Sequence, residues 1–123
     1  MFEALTKYIE PLEDGEFQLN IDDDGYPSYS STAEDMMDAV DTFSNENPSF
    51  NMQEYYEILH AAEIEITGKS FSEANIEEQT AEVVLAILIA SARAERITEG
   101  AWDMAYESGV LLRVLKRLKE LDV

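Results

Sequence analysis

Cysteine is absent from this 123-residue chain. That excludes disulfides, thiolate metal sites and cysteine nucleophiles, and it leaves the redox compartment open. Histidine occurs once, as His60. A single histidine without cysteine cannot build a structural zinc site of the usual kind, and a half-exposed helix histidine is the expected role. No serine stands in a nucleophile-elbow context, and no glycine-rich phosphate loop is present. Long apolar runs are missing too. The most apolar segment, Val83 to Ala92, holds ten residues, about half of what a membrane span requires. The N-terminal stretch MFEALTKYIEPLEDG is short, amphipathic and cut by Pro11, so it does not read as a signal peptide. A cytoplasmic location is expected.

Basic residues are scarce. Eight Lys and Arg face 27 Asp and Glu, for a formal net charge of −19. Residues 1–79 hold 20 acidic and 2 basic side chains, whereas residues 80–123 hold 7 and 6. Nearly all the excess charge therefore belongs to the first two-thirds of the chain. Such a field repels nucleic acid and anionic membranes and steers toward cationic partners, at a cost in self-repulsion.

What is present is enough apolar material for a core. Apolar residues make up 46% of the chain, ordinary for a globular protein, and the length fits one domain, 1–123. Its expected parts are an acidic portion, 1–79, with a hairpin and three short helices, and an apolar helical hub, 80–123. Phe2, Leu5, Tyr8, Ile9 and Leu12 recur at helical spacing, so residues 2–10 predict a short helix ended by Pro11. Phe17, Leu19 and Ile21 alternate with polar residues, Asp23-Asp24-Gly25 is turn chemistry, and Tyr26 to Tyr29 offers a return strand kept at an edge by Pro27. These predict a small hairpin over 16–30. Ser31-Thr32-Ala33-Glu34 has the capping-box form, and Met36, Met37, Val40 and Phe43 form the stripe of the helix after it. Asn51 with Glu54 starts another helix that runs to about Ala62. Residues 63–72 are ambiguous between strand and loop, with Gly68 marking a turn. The long helix is predicted from Glu77 through Arg96, apolar on every side in its first half and so covered on every side. A helix over Ala101–Glu107 and a last one from Val110 to Leu121 complete the chain, the latter with Arg113, Lys116, Arg117 and Lys119 toward its end, where cations suit the helix dipole. The expected fold is mainly α (α+β): a compact bundle of about five helices around a central apolar C-terminal helix, with a small N-terminal β-hairpin.

Few constellations could carry chemistry. Asn20 to Ser28 spaces oxygen ligands as in a calcium loop, with Asp22 and Asp24 as the candidate ligands and Gly25 at position six. Yet position twelve is Ser31 where a bidentate Glu belongs, position eight is Pro27, and no helix precedes the loop. A solvated turn explains the same residues. Close carboxylate pairs arise by chance among 27 acids, and no carboxyl can be assigned to an apolar pocket of the kind an acid–base pair needs. No catalytic residue, cofactor or metal is assigned. Arg93 and Arg96 lie three apart just after the apolar run, with Glu99 and Asp103 on a compatible side. They predict an ion-pair cluster tying the long helix to an acidic one, or else an anion site. The basic end of the chain is too small for nucleic-acid binding.

The segment Arg93-Ala-Glu95-Arg96-Ile97-Thr-Glu99-Gly100, with Glu107-Ser-Gly109-Val110 and Leu115-Lys-Arg117-Leu118, resembles the C-terminal signature of a family of short bacterial and phage-borne proteins classed as a domain of unknown function. The resemblance covers chiefly residues 80–121. It implies a short N-terminal helix, an extended aromatic segment and then helices, and it implies no activity. The functional expectation is a non-enzymatic, acidic protein-interaction domain. Its interaction face would be formed by Glu34, Asp35, Asp38, Asp41, Glu54 and Glu57. In its sharpest form it is a phage-type inhibitor whose carboxylates imitate nucleic-acid phosphates toward a basic nucleic-acid-binding protein. The alternatives are a structural or regulatory domain whose acidity only solubilises it, and a Ca²⁺-responsive module.

Overall fold

The computed structural model describes residues 1–17, 19–21, 23, 25 and 27–122; for residues 19–21 and 27 it describes the backbone alone. The elements in chain order are α1 (Glu3–Thr6), α2 (Ile9–Glu13), β1 (Leu19–Ile21), β2 (Pro27–Tyr29), α3 (Ser31–Glu46), 3₁₀ turns at Pro48–Phe50 and Met52–Glu54, and α4 (Tyr55–Ala61). Then come α5 (Gly68–Glu73), a 3₁₀ turn at Ile76–Glu78, α6 (Ala81–Ala94), α7 (Ala101–Glu107) and α8 (Val110–Leu121).

α6 is the hub. Every residue from Val84 to Ala92 is buried. Its partners are α3, α4, α7 and α8, which pack around it, as an all-apolar helix requires. Thr80 caps it by accepting a hydrogen bond from the Val83 amide at 3.3 Å. The helix therefore starts at Ala81, later than the predicted Glu77, because Ile76–Glu78 forms a separate 3₁₀ turn. Gly100 and Gly109, with φ of 91° and 85°, stand as the residues before α7 and α8. Both sit in the left-handed region that favours glycine, and both predicted helices have the observed bounds.

The N-terminal portion departs from expectation in three places. Pro11 does not end a helix; it lies in the first turn of α2, where its missing N–H has no helical partner to lose. The break falls earlier, at Lys7 and Tyr8, because Pro11 cannot donate to the Lys7 carbonyl. The helix after the strands is capped by Ser30, not Ser31: Ser30 Oγ accepts from the Ala33 amide at 3.2 Å. The predicted hairpin over 16–30 is not supported as a unit. Phe17 closes the turn after α2, Ser30 belongs to α3 as its cap, and only Leu19–Ile21 and Pro27–Tyr29 pair, antiparallel, in a three-residue ladder. Three residues a side is too little for an independent hairpin. Tyr26, and the Leu19 and Ile21 side chains assigned to its buried face, lie outside the described residues.

Two aromatic groups tie this portion to the hub. Phe2, Phe43 and Phe50 pack at centroid distances of 5.7–5.9 Å. Phe17 stacks on Tyr106 at 4.6 Å and leans on Trp102 at 5.6 Å. Trp102 is fully buried and its indole N–H donates to the Ala33 carbonyl at 3.0 Å. No described helix is long and apolar enough to cross a membrane.

Candidate functional site

The residues predicted to form an acidic face lie on α3 and at the start of α4. Ala33, Met36, Val40 and Phe43 turn one side of α3 inward. Glu34, Asp35 and Asp38 are exposed on the other side, and Asp41 is half-buried. Glu54 and Glu57 are exposed beside the buried Tyr55 and Leu59. Among the described residues, the ion pairs engage Glu3, Glu13, Glu77, Glu120 and Asp122. None of the six face carboxylates is compensated in this way. Asp35 and Asp38 also raise the pKa of the Tyr8 phenol, an effect second to that of burial.

Below Glu57, the C-terminal end of α4 opens a depression of about 670 Å³, walled by Tyr56, Glu57, His60, Glu63, Ile64, Glu65 and Ile66. The chain turns there in a Schellman motif: the Ile64 amide donates to the Leu59 carbonyl, and the Glu63 amide to that of His60. Glu63 occupies the position glycine usually takes, at φ 60°, a strained choice for a residue with a Cβ. Tyr56, 61% exposed, stacks on Tyr55 at 4.4 Å and offers its ring to solvent. Three carboxylates, an exposed aromatic face and two isoleucines suit a cationic side chain with an aliphatic stem.

The predicted cluster of Arg93, Arg96, Glu99 and Asp103 is not brought together as ion pairs. Arg93 donates to the Gln53 side-chain oxygen at 2.7 Å and lies over the Tyr55 ring at 5.9 Å. Arg96 and Glu99 are exposed, and among the described residues neither enters an ion pair. The reason is local: α6 ends at Ala94, and the turn of 95–100 disrupts the helical register that would align them. Asp103 sits in α7, where burial and then Glu107 and Glu95 raise its carboxyl pKa. Asp22 and Asp24, the candidate calcium ligands, lie outside the described residues.

Sequence reasoning misses two junctions. At the first, Glu95 accepts from the Gly100 amide at 3.1 Å, the Trp102 amide at 3.0 Å and the Tyr29 hydroxyl at 2.6 Å. Tyr29 Oη in turn accepts from the Asp103 amide at 3.0 Å. Glu95 is thus the cap of α7 and the bridge to β2, and burial followed by its hydrogen bond to Glu95 pushes the Tyr29 phenol far up. Glu95→Ala is expected to lower the unfolding free energy by about 2 kcal/mol, as loss of a cap and of charge-assisted bonds does. Urea denaturation measures it, and Tyr29→Phe should cost less than half as much. At the second junction, Arg113 and Arg117 hold the segment 72–79. Arg113 donates to both Glu77 carboxylate oxygens at 2.7 and 2.9 Å, to the Ser72 carbonyl at 2.9 Å and to the Ala74 carbonyl at 2.7 Å. Arg117 donates to the Gln79 carbonyl at 2.9 Å. The expected pairing with the helix dipole does not hold for Arg113, which lies near the N-terminal end of α8, while Lys119 is the basic residue of its last turn; these partners of Arg113 and Arg117 lie some 40 residues away, which no local pattern reveals.

A second cavity, of about 600 Å³, lies between α5 and α7 over α6, with Lys69, Phe71, Ala94, Ala101 and Met104 among its walls.

A bundle of short helices wrapped around one apolar hub helix, with an acidic outer layer, is the class of protein this arrangement defines. The chain belongs to a family of unknown function (DUF6508), whose model matches residues 2–122. The match is thus not confined to the C-terminal segment that carries the resemblance. Neither the curated proteins nor the solved structures compared with the chain give a match.

Proposed function

We propose that this protein is an acidic interaction domain that binds a basic protein partner through the carboxylates of α3 and α4. The observation that carries the reading is that Glu34, Asp35, Asp38, Asp41, Glu54 and Glu57 have no compensating ion pair among the described residues. Their charge is directed outward. Four of them fall within residues 34–41 of one helix. At ~1.5 Å per residue that is one charge per ~3.5 Å of axis, close to the ~3.4 Å per phosphate along one nucleic-acid strand. A basic groove built for a phosphate backbone is therefore a fitting partner surface. The depression beside Tyr56 would take one lysine or arginine of that partner, the ammonium or guanidinium against the ring and between Glu57 and Glu63.

The test is capture of partners from the source cell, followed by titration of the captured protein against salt. With four carboxylates each displacing a counterion, affinity is expected to fall roughly 100-fold between 50 and 200 mM salt. Double-stranded DNA should compete. Replacing Glu34, Asp35, Asp38 and Asp41 by their amides should remove most of the salt dependence. Salt-independent binding, or binding untouched by these four changes, would sink the reading.

A further inference from the structure

The cavity between α5 and α7 is a different kind of place from the acidic surface. We propose that it binds a small amphipathic organic anion, a medium-chain carboxylate, with the hydrocarbon body inside and the carboxylate at Lys69. Its volume of about 600 Å³ falls within the range of small-molecule sites, roughly 300–1,000 Å³.

The cavity exists because of what the chain places around it. α7 sends Trp102 inward and keeps Tyr106 partly buried against the core, while Ala101 and Ala105, one turn apart, face the gap. Ala94 and Ser91 of α6 form the floor. Small side chains on two walls leave the space unfilled. α5 does not close over it, since it makes only sparse contact with the other helices. It is held by the buried Phe71 and by the Arg113 guanidinium, which donates to the Ser72 and Ala74 carbonyls. Met104, 65% exposed, stands at the mouth, where a flexible thioether can adapt to a bound chain.

Chemistry selects the occupant. Among the described residues no Asp or Glu lines this cavity, although 27 are spread over the chain. Glu73, Glu99, Asp103 and Glu107 come from the same region and stay out of its walls. The one charged group among the described residues that does line it is Lys69, one of two basic residues in the first 79. Glu73, one turn from Lys69 on α5, lies within a Debye length of about 8 Å and weakens the ammonium's pull, but it does not line the cavity, so an anion inside meets the ammonium at contact distance. The hydroxyls of Ser72, Ser91 and Ser108 already donate to the carbonyls of Lys69, Ile87 and Ala105. Those three donors are engaged, which leaves the Thr98 hydroxyl and the Lys69 ammonium as the polar side-chain donors of the described lining, few enough to suit a hydrocarbon body with one anionic end better than a sugar or other polyol.

The experiment is calorimetric titration of the full chain with decanoate, kept below its micelle concentration, and with decan-1-ol as the neutral counterpart. One saturable site for decanoate is expected, with decan-1-ol at least tenfold weaker. Lys69→Glu, a surface change that leaves the fold alone, should weaken decanoate at least tenfold and narrow the gap between acid and alcohol. Ala105→Phe, which fills the cavity, should abolish both. Absence of saturable decanoate binding, equal affinity for the alcohol, or affinity unchanged in Lys69→Glu would each overturn the proposal. So would binding to anionic phospholipid vesicles without binding to free decanoate.

Discussion

Replacing Trp102 by alanine is expected to remove about 4 kcal/mol of stability, as large-to-small substitution of a buried indole does. Trp102 is fully buried, leans on Phe17 at 5.6 Å and donates its indole N–H to the Ala33 carbonyl at 3.0 Å. Those contacts join three elements that are far apart in sequence: the turn after α2, the first turn of α3, and α7. Alanine would open a cavity there and delete the indole's hydrogen bond to α3 at the same time. Against a total of about 5–15 kcal/mol for a domain of ordinary stability, that is about a quarter of the whole or more. Urea unfolding followed by far-ultraviolet circular dichroism measures it. Trp102→Phe keeps most of the packing and loses the hydrogen bond, so it should cost roughly half as much. A loss under about 1 kcal/mol for alanine would mean that the N-terminal portion is not anchored on α7.

The second large effect concerns Arg113. Arg113→Met keeps an aliphatic stem and deletes four hydrogen bonds to residues 72–77. A cost of about 2–3 kcal/mol is expected, with part of the segment's backbone left to find water instead. The loss should be local before it is global: amide exchange of residues 68–79 should rise at least tenfold while that of α6 changes only with the overall stability. The same contact has a pH signature. Arg113 holds the Glu77 carboxyl down to about 2, from an ordinary 4.5. Because the folded value is the lower one, the pair's contribution is complete above pH 4.5 and is lost as pH falls toward 2. The Glu77 side chain is 55% exposed, so screening keeps that contribution below about 1 kcal/mol. Glu77→Gln should flatten this part of the acid-unfolding profile without altering stability at neutral pH by more than that amount.

Both effects come from contacts that cross the chain, and this marks the limit of what the sequence makes legible. α7 and α8 can be read to the residue, since Gly100 and Gly109 punctuate them and their apolar stripes are regular. α6 can be read as the hub from its uncharged run, though its start cannot, because Glu77 and Glu78 look as helical as the residues after Thr80. α5 is hidden. Its Thr67 cap precedes a glycine, and Ile64 and Ile66 suggest a strand. The helix is held in place by Phe71 and by an arginine about 40 residues further on. The acidic face is visible as composition and spacing. The depression beside Tyr56 is not, since it depends on Glu63 adopting a left-handed conformation that sequence would assign to glycine. The arginine cluster fails for the opposite reason: the helical spacing that would align it stops at Ala94, where the helix itself stops.

The position of α6 after α3 and α4 has a consequence for biosynthesis. The surfaces that α3 and α4 turn to the hub dock on residues 81–94, so during translation those surfaces stay uncovered until α6 follows. An apolar segment waiting in that state would invite aggregation. Here the waiting segment carries 20 acids against 2 bases, and mutual repulsion keeps its copies apart until the hub emerges and the whole collapses at once.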